Sequence, residues 1–299
     1  MRSPSPFTHA DAASAHFYEA GAAHFMSKRA RQWRAWDVYL AHLRAQSAAP
    51  LNVLDLGAGH GRFAACLHQS QVAVARYVAV DRSQALLRVA AAAGAETHAC
   101  DLRDWHAGEE RFDAVVAQAV LHHIPGESER IRLLSQLLRA VAPGGSAFVS
   151  FWKPRGLRPL LARALPLDVP PAHLAVHPDA PPAAQPRGHL AHSGHAASSA
   201  ITPEQPGDYL LPFGEPERAY QRYVHLFSDA AIERTCRLAM PDAFQATHFS
   251  GVFGEVSSRF VIFDARGMVD ASGTPAAPKD AAPQGAPPAQ STSGAQTIS

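Results

Sequence analysis

The residues best able to do chemistry stand at even intervals. Gly57-Ala58-Gly59-His60-Gly61 directly follows the apolar run Leu51-Asn52-Val53-Leu54-Asp55-Leu56. Glycines there permit a tight turn and let the backbone approach a ligand closely. Asp81 lies 20 residues beyond Gly61, and Asp101 lies 20 residues beyond Asp81. Each ends a short strand-like segment. A carboxylate at the second such end can accept hydrogen bonds from both hydroxyls of a ribose, and one at the third from the exocyclic amine of adenine. Taken singly, each acid reads equally well as a cap or a solvated turn residue, and the glycines as a structural turn. Together they point to a nucleoside-type ligand. A dinucleotide fingerprint would want glycine at 62, where Arg62 stands, and no Gly-Lys-Ser or Gly-Lys-Thr closes a phosphate loop.

The elements that must hold these groups alternate. Leu51–Leu56 reads as a buried strand broken by glycine. Arg62–Gln69 reads as a helix, and 77–80 as a second strand ending at Asp81. Ser83 is suited to cap a helix reaching Ala92. Residues 96–100 read as a third strand and Phe112–Ala117 as a fourth. Residues 130–141 place Ile131, Leu134, Leu137, Leu138 and Val141 on one helical face, and Pro143-Gly144-Gly145 should stop that helix. Residues 146–152 read as a fifth strand. Such alternation implies a parallel sheet covered on both faces, with ligands at the carboxyl ends of its strands.

The 299 residues have room for one α/β domain or two smaller ones, and an apolar fraction of 47% supplies a sizeable core. Lys+Arg number 27 and Asp+Glu 26, a net charge of +1, which excludes a wholly basic nucleic-acid coat but not a local patch. Cys66, Cys100 and Cys236 are odd in number, far apart and without a CxxC pair, against a disulfide framework or a cysteine zinc site and in keeping with a reduced, cytoplasmic or nuclear protein. No run of about 18 apolar residues occurs, so no transmembrane helix is expected. The N-terminus lacks the apolar core of a secretory signal, and an organellar transit peptide is the weaker alternative there. Composition divides the chain into a disordered tail (1–15), a helical segment with the alternating core (16–153), an insert (154–207) holding 11 prolines, a periodic aromatic stretch (208–266) and a second disordered tail (267–299). His189, His192 and His195 recur in the insert among Pro and Gly and read as low complexity. His122-His123 has no third ligand at a fixed spacing, so no metal is expected.

The set Val53-Leu54-Asp55-Leu56-Gly57-Ala58-Gly59-His60-Gly61, Val80-Asp81-Arg82-Ser83, Cys100-Asp101-Leu102 and Phe112-Asp113-Ala114-Val115-Val116 resembles the motifs of class I S-adenosylmethionine methyltransferases. The resemblance implies a Rossmann-like seven-stranded sheet with helices on both faces, its last strands within 220–266 and Phe260-Val261-Ile262-Phe263 one of the final antiparallel pair. It implies S-adenosylmethionine as cofactor. Gly57, Gly59 and Gly61 would line the methionine part, Asp55 would lie near its amino group, and Ala117 and Gln118 would flank it. Asp81, with Arg82 beside it, would hold the ribose, and Asp101 and Leu102 the adenine.

The flanks narrow the resemblance. Tyr18, Ala22, Phe25, Arg29 and Trp33 precede the core, and Tyr220-Gln221-Arg222-Tyr223-Val224-His225-Leu226-Phe227 follows it. This pattern is similar to the tRNA wobble-uridine carboxymethyl methyltransferases, which esterify 5-carboxymethyluridine in the anticodon loop. The similarity implies tRNA as partner, and some members of that family act with a small zinc-containing activator subunit. Arg34 stands where that family usually has proline, and Asp208-Tyr209-Leu210-Leu211-Pro212-Phe213 keeps only part of a family element. A carboxylate is ionised near neutral pH, so its methylation needs in-line placement and charge positioning rather than a strong base. Arg29, Arg222 and His225 are the residues expected to hold the substrate carboxylate or neighbouring phosphates. Trp33, His122 and Tyr223 are expected against the substrate. Residues 1–50 carry six Lys+Arg against three Asp+Glu, with Trp33 and Trp36 interleaved, a composition suited to phosphates and splayed bases. The rivals are a small-molecule O-methyltransferase on the same core, with a closed apolar pocket, and a non-catalytic cofactor-binding scaffold.

Overall fold

In the computed structural model the described residues are 8–27, 34–47, 49–155, 161, 164, 207–213, 220–253 and 256–265. The alternating pattern folds as β1 (Leu51–Leu56), α4 (Arg62–Gln69), β2 (Val74–Asp81), α5 (Gln84–Ala92), β3 (Glu96–Ala99), β4 (Phe112–Ala117), α6 (Glu127–Arg139) and β5 (Val141–Trp152). Ahead of it lie α1 (Thr8–Ala20), α2 (Ala22–Ser27) and α3 (Arg34–Gln46). After it come β6 (Gly207–Phe213), β7 (Tyr220–Leu226), α7 (Asp229–Ala239), β8 (Gln245–Phe253) and β9 (Val256–Asp264). The main sheet has seven strands in the order β3-β2-β1-β4-β5-β9-β8, parallel through β5 and antiparallel at β9 and β8.

Strand alternation sorts the core between the two faces. Leu54, Leu56, Val78, Val80, Val115 and Val149 face α6 and α7. Val53, Ala79, Ala114, Val116 and Phe148 face α3, α4 and α5, where Tyr39 stacks on Phe148 with ring centroids 4.9 Å apart. The chain runs from β1 outward to β3, then returns to place β4 on the other side of β1. A sheet that reverses order in this way opens a crevice at the carboxyl ends of those two strands.

The structure departs from the sequence reading in several places. Helix α1 starts at Thr8, inside the segment assigned to a tail. Helix α6 starts at Glu127, earlier than expected, with Glu127 and Glu129 in its first turn where acids favour the helix dipole. Pro143-Gly144-Gly145 lies within β5, where the register against β4 shifts. A Cβ at Gly145 would stand 2.8 Å from the Asp113 carbonyl oxygen, so the close backbone approach there requires glycine. Residues 220–226 do not join the main sheet. They pair with 207–213 as a separate antiparallel ribbon, because Tyr209, Leu211, Val224 and Leu226 bury themselves with Trp152 and Leu161. The last two strands of the main sheet fall in 245–264, and 260–263 is antiparallel to β5 as expected. Most of the insert, with His189, His192 and His195, and residues 267–299 lie outside the described residues.

Candidate functional site

A cavity opens at the carboxyl ends of β1, β2 and β4, beside the start of the segment after β3. Its floor includes Asp55, Gly57, Gly59, Asp81, Asp101 and Leu102. Gly57 and Gly59 hold φ of 72° and 56°, the left-handed region that glycine enters without penalty. A Cβ on Gly57 would sit 2.4 Å from Val120 Cγ2, so the loop and the segment after β4 close on each other only around a glycine.

The acids are held by local geometry. Asp81 Oδ2 accepts from the Gly59 N–H at 2.8 Å and Oδ1 from the Ser83 N–H at 2.9 Å. Asp81 therefore ties the glycine loop to the start of α5, and each carboxylate oxygen keeps acceptor capacity toward the cavity. Burial pushes its pKa up, opposed by those backbone donors. Asp55 is buried beneath the loop and accepts from the Tyr77 hydroxyl at 2.5 Å. Burial, against that hydrogen bond and with the Asp81 charge adding, pushes the Asp55 carboxyl up to about 7. Asp101 is gripped by Arg103, Nε to Oδ1 at 3.0 Å and Nη2 to Oδ2 at 2.6 Å, with Arg82 Nη2 at 3.5 Å. Burial raises its pKa, but these guanidinium contacts outweigh burial and hold it below the usual range.

The remaining walls come from the N-terminal helices and the turn after β4. Ser14, Tyr18, Phe25 and Trp36 line the cavity, with His60, Arg62, Phe63, Gln118, Ala119, Val120, His123 and Ile124. Ala119 holds a φ of 59° while its N–H donates to Ser150 Oγ at 2.8 Å. A non-glycine residue there stores about 1–2 kcal/mol of backbone strain, of the kind that gathers at functional sites. The Arg62 guanidinium lies 5.5 Å over the Trp36 ring, and burial lowers its pKa to about 10.

Several expected site residues sit elsewhere. Gly61 does not line the cavity; its φ of 80° starts α4, and a Cβ there would press on Ala90 at 3.2 Å. Ala117 is fully buried in the sheet. His122 is fully buried and stacks on Trp152 at 3.9 Å, so its neighbour His123 takes the cavity wall. Tyr223 is buried, its hydroxyl bonded to Asp208 and Arg130. His225 Nδ1 pairs with Asp208 at 2.7 Å. Arg222 is buried between the Phe17 ring (5.7 Å) and the Trp152 ring (5.5 Å). None of Arg222, Tyr223 and His225 reaches the cavity wall, because their ribbon packs behind α1 and Trp152. Arg29 and Trp33 lie outside the described residues. The sequence reading missed Arg103 and Ala119; Trp36, which it grouped with basic residues as suited to phosphates and splayed bases, lines the wall. Among the described residues, no three His, Cys, Asp or Glu side chains gather as a metal site, and no helix is long and apolar enough to cross a membrane.

Comparison with known proteins is consistent with this geometry. The methyltransferase domain family model matches residues 22–180, just over half of the chain. A tRNA (carboxymethyluridine(34)-5-O)-methyltransferase of Arabidopsis thaliana is 31% identical over 135 residues, covering 45% of this chain and 31% of that protein. One from Xenopus tropicalis is 26% identical over 236 residues, covering 73% of this chain and 36% of that protein. The chain thus spans about a third of the length of these relatives. Among solved structures, a DhpI–SAM–HEP complex is similar with a TM-score of 0.52 at 16% identity, over 86% of this chain and 98% of that one. An S-adenosylmethionine-dependent methyltransferase from Clostridium acetobutylicum ATCC 824 gives a TM-score of 0.52 at 11% identity, over 81% and 96%. At these identities they share the fold.

Proposed function

The chain belongs to the methyltransferase-domain family, and from that premise we propose that it uses S-adenosylmethionine to esterify the carboxymethyl group of a wobble uridine in tRNA. The cavity residues fit the cofactor. The left-handed Gly57 and Gly59 bring backbone close to the ligand, and a side chain at Gly57 would fill that cradle. Asp55 would offer a buried carboxylate to an ammonium group, Asp81 would accept from ribose hydroxyls, and Leu102 with Asp101 would border the adenine. When bound, S-adenosylmethionine supplies an electrophilic sulfonium methyl group.

The protein's task is then alignment and exclusion of water. A carboxylate oxygen is already a competent nucleophile at neutral pH, so no residue need remove a proton. Arg62 places positive charge at the cavity wall, where a substrate carboxylate is drawn in. Tyr18, Phe25 and Trp36 give flat apolar surfaces on which an unstacked base can rest. The observation that carries the tRNA reading is the breadth of the Xenopus tropicalis match. Its 73% coverage of this chain exceeds what the cofactor-binding core alone can supply, so the flanks share in it.

Nucleoside mass spectrometry of tRNA from cells with and without the protein tests the reading. Loss of the methyl ester, with the free carboxymethyl or amide form accumulating, is expected. An unchanged profile, with cofactor binding intact in the purified protein, and with a small zinc-containing subunit added, overturns it. The aromatic cover of Tyr18, Phe25 and Trp36 also favours a second reading, a small-molecule O-methyltransferase. That reading requires turnover of a small carboxylate or hydroxyl acceptor and the unchanged tRNA profile.

A further inference from the structure

His123 makes two contacts whose polarity follows from elementary chemistry. Its Nδ1 lies 2.7 Å from the Tyr223 carbonyl oxygen. A carbonyl oxygen only accepts, so Nδ1 carries the proton. In the neutral ring Nε2 is then unprotonated, and the Tyr18 hydroxyl, 2.7 Å away, donates to it. Tyr223 fixes both partners through one peptide unit on each side. Its carbonyl sets the tautomer of His123, and its N–H donates to Ser14 Oγ at 2.8 Å on the helix that carries Tyr18. The Tyr18 ring is held edge-on by Phe25 at 5.4 Å and by His123 at 5.5 Å. Its carbonyl lies 2.9 Å from Ser83 Oγ, which donates to it or to Glu19. Tyr18 and His123 both line the cavity, and neither belongs to the strand-end loops that carry Gly57, Asp81 and Asp101.

We infer that Tyr18 is the acceptor-positioning residue of the methyl-transfer site and that His123, locked by the Tyr223 carbonyl, fixes the polarity of its hydroxyl. With its proton committed to His123, the Tyr18 oxygen can meet a ligand of the cavity that Tyr18 lines only as an acceptor. It therefore accepts a hydrogen bond from an N–H or O–H of the methyl acceptor. On the wobble-uridine reading, upon which this assignment of the donor rests, that group is the imide N–H of the uracil ring. The Tyr18 lone pairs repel a carboxylate, so the carboxymethyl group must turn away from Tyr18. His123 acts through Tyr18 and is a positioning residue.

The test has two parts, both on the full chain. Imidazole nitrogen NMR should show His123 as the neutral Nδ1–H tautomer, and an Nε2–H tautomer or a doubly protonated ring overturns the proposal. Tyr18→Phe should leave S-adenosylhomocysteine affinity within about threefold by calorimetry while lowering kcat/KM on tRNA from cells lacking the protein by about tenfold or more, the loss expected of a hydrogen bond made during alignment. His123→Leu should show the same loss, the double variant no further loss, and His123→Gln partial recovery, because its amide reaches the Nε2 position. Full turnover in Tyr18→Phe, a parallel loss of cofactor affinity, or no recovery in His123→Gln overturns the proposal. Wild-type protein inert toward that tRNA overturns the tRNA reading instead, and the imidazole resonances then judge the Tyr18–His123 pair on their own.

Discussion

The two halves of the cavity are built in opposite ways. On the side proposed for the cofactor, Gly57, Gly59, Asp81 and Asp101 stand at strand ends whose neighbours along the chain fix them: the Asp81 carboxylate bonds the residue two beyond it, and the Asp101 carboxylate is held by Arg103. On the side proposed for the methyl acceptor, Tyr18 meets His123 across 105 residues, and His123 meets Tyr223 across 100. The first half is a property of one sheet. The second exists only when the N-terminal helix, the turn after β4 and the separate ribbon come together. Cofactor geometry should therefore fail through strain and lost hydrogen bonds, and acceptor geometry through undocking of α1.

The largest effect belongs to Gly57. Gly57→Ala forces an L-residue to a φ of 72° and drives its Cβ onto Val120. Left-handed strain and overpacking together should cost about 2–5 kcal/mol. A thermal melt should show a large drop in Tm, and calorimetry should find no cofactor binding. Retained affinity would mean that the loop and the turn after β4 can part, and the rigid half would no longer be rigid.

That contrast also explains what the sequence disclosed. The glycine loop and Asp81, Asp101 and Leu102 were legible because their spacing follows strand-and-helix units, and Ser83 does cap α5, accepting from Leu86 N at 3.3 Å. The parallel sheet was legible from apolar runs that end at these residues. Arg222, Tyr223 and His225 carried a distinctive pattern, but a pattern does not say which way a ribbon faces. Their ribbon turns apolar side chains to Trp152 and Leu161, and that burial carries Arg222 away from the cavity and into the gap between Phe17 and Trp152. The choice of His122 over His123 failed for a similar reason. In a single 3₁₀ turn the two rings lie side by side with centroids 4.1 Å apart, and stacking on Trp152 takes the first.

Asp55 sharpens the comparison through pH. Its carboxyl titrates near 7 in the fold, above the ordinary value of 3.8. A raised acid pKa means that the folded state binds the proton more tightly. The stability it contributes is present below the unfolded pKa and is lost as pH rises from about 4 through about 7. The full swing is on the order of 4 kcal/mol at most. Denaturant melts of Asp55→Asn should lose that slope, and a bound ammonium group that favours ionised Asp55 should flatten it in the wild type. A slope unchanged by Asp55→Asn would place the titration elsewhere.

Asp81 ranks next. Asp81→Asn keeps an oxygen for one backbone N–H but removes the charge that strengthens both bonds. S-adenosylmethionine affinity should fall by about 10- to 100-fold, or about 1.5–3 kcal/mol, with Tm moving far less than in Gly57→Ala. Affinity within about threefold of wild type by calorimetry would remove the ribose from this carboxylate.

Arg82 gives the smallest effect and the finest test of the boundary between the two halves. Its guanidinium stands 3.5 Å from Asp101, which Arg103 already holds at 2.6 Å. The Arg82 and Asp101 side chains keep 32% and 22% of their exposure, so water screens the longer contact, and such pairs contribute about 0.2–1 kcal/mol. Arg82→Ala should weaken cofactor affinity by less than about fivefold, and less still at high salt, where screening has already removed the attraction. A loss beyond tenfold that persists in salt would mean that Arg82 reaches across the cavity to the ligand itself, since a screened surface pair cannot supply it. Arg103→Ala provides the internal reference, because it removes the short bidentate contact while leaving Arg82 in place, and it should cost more than Arg82→Ala under every salt condition.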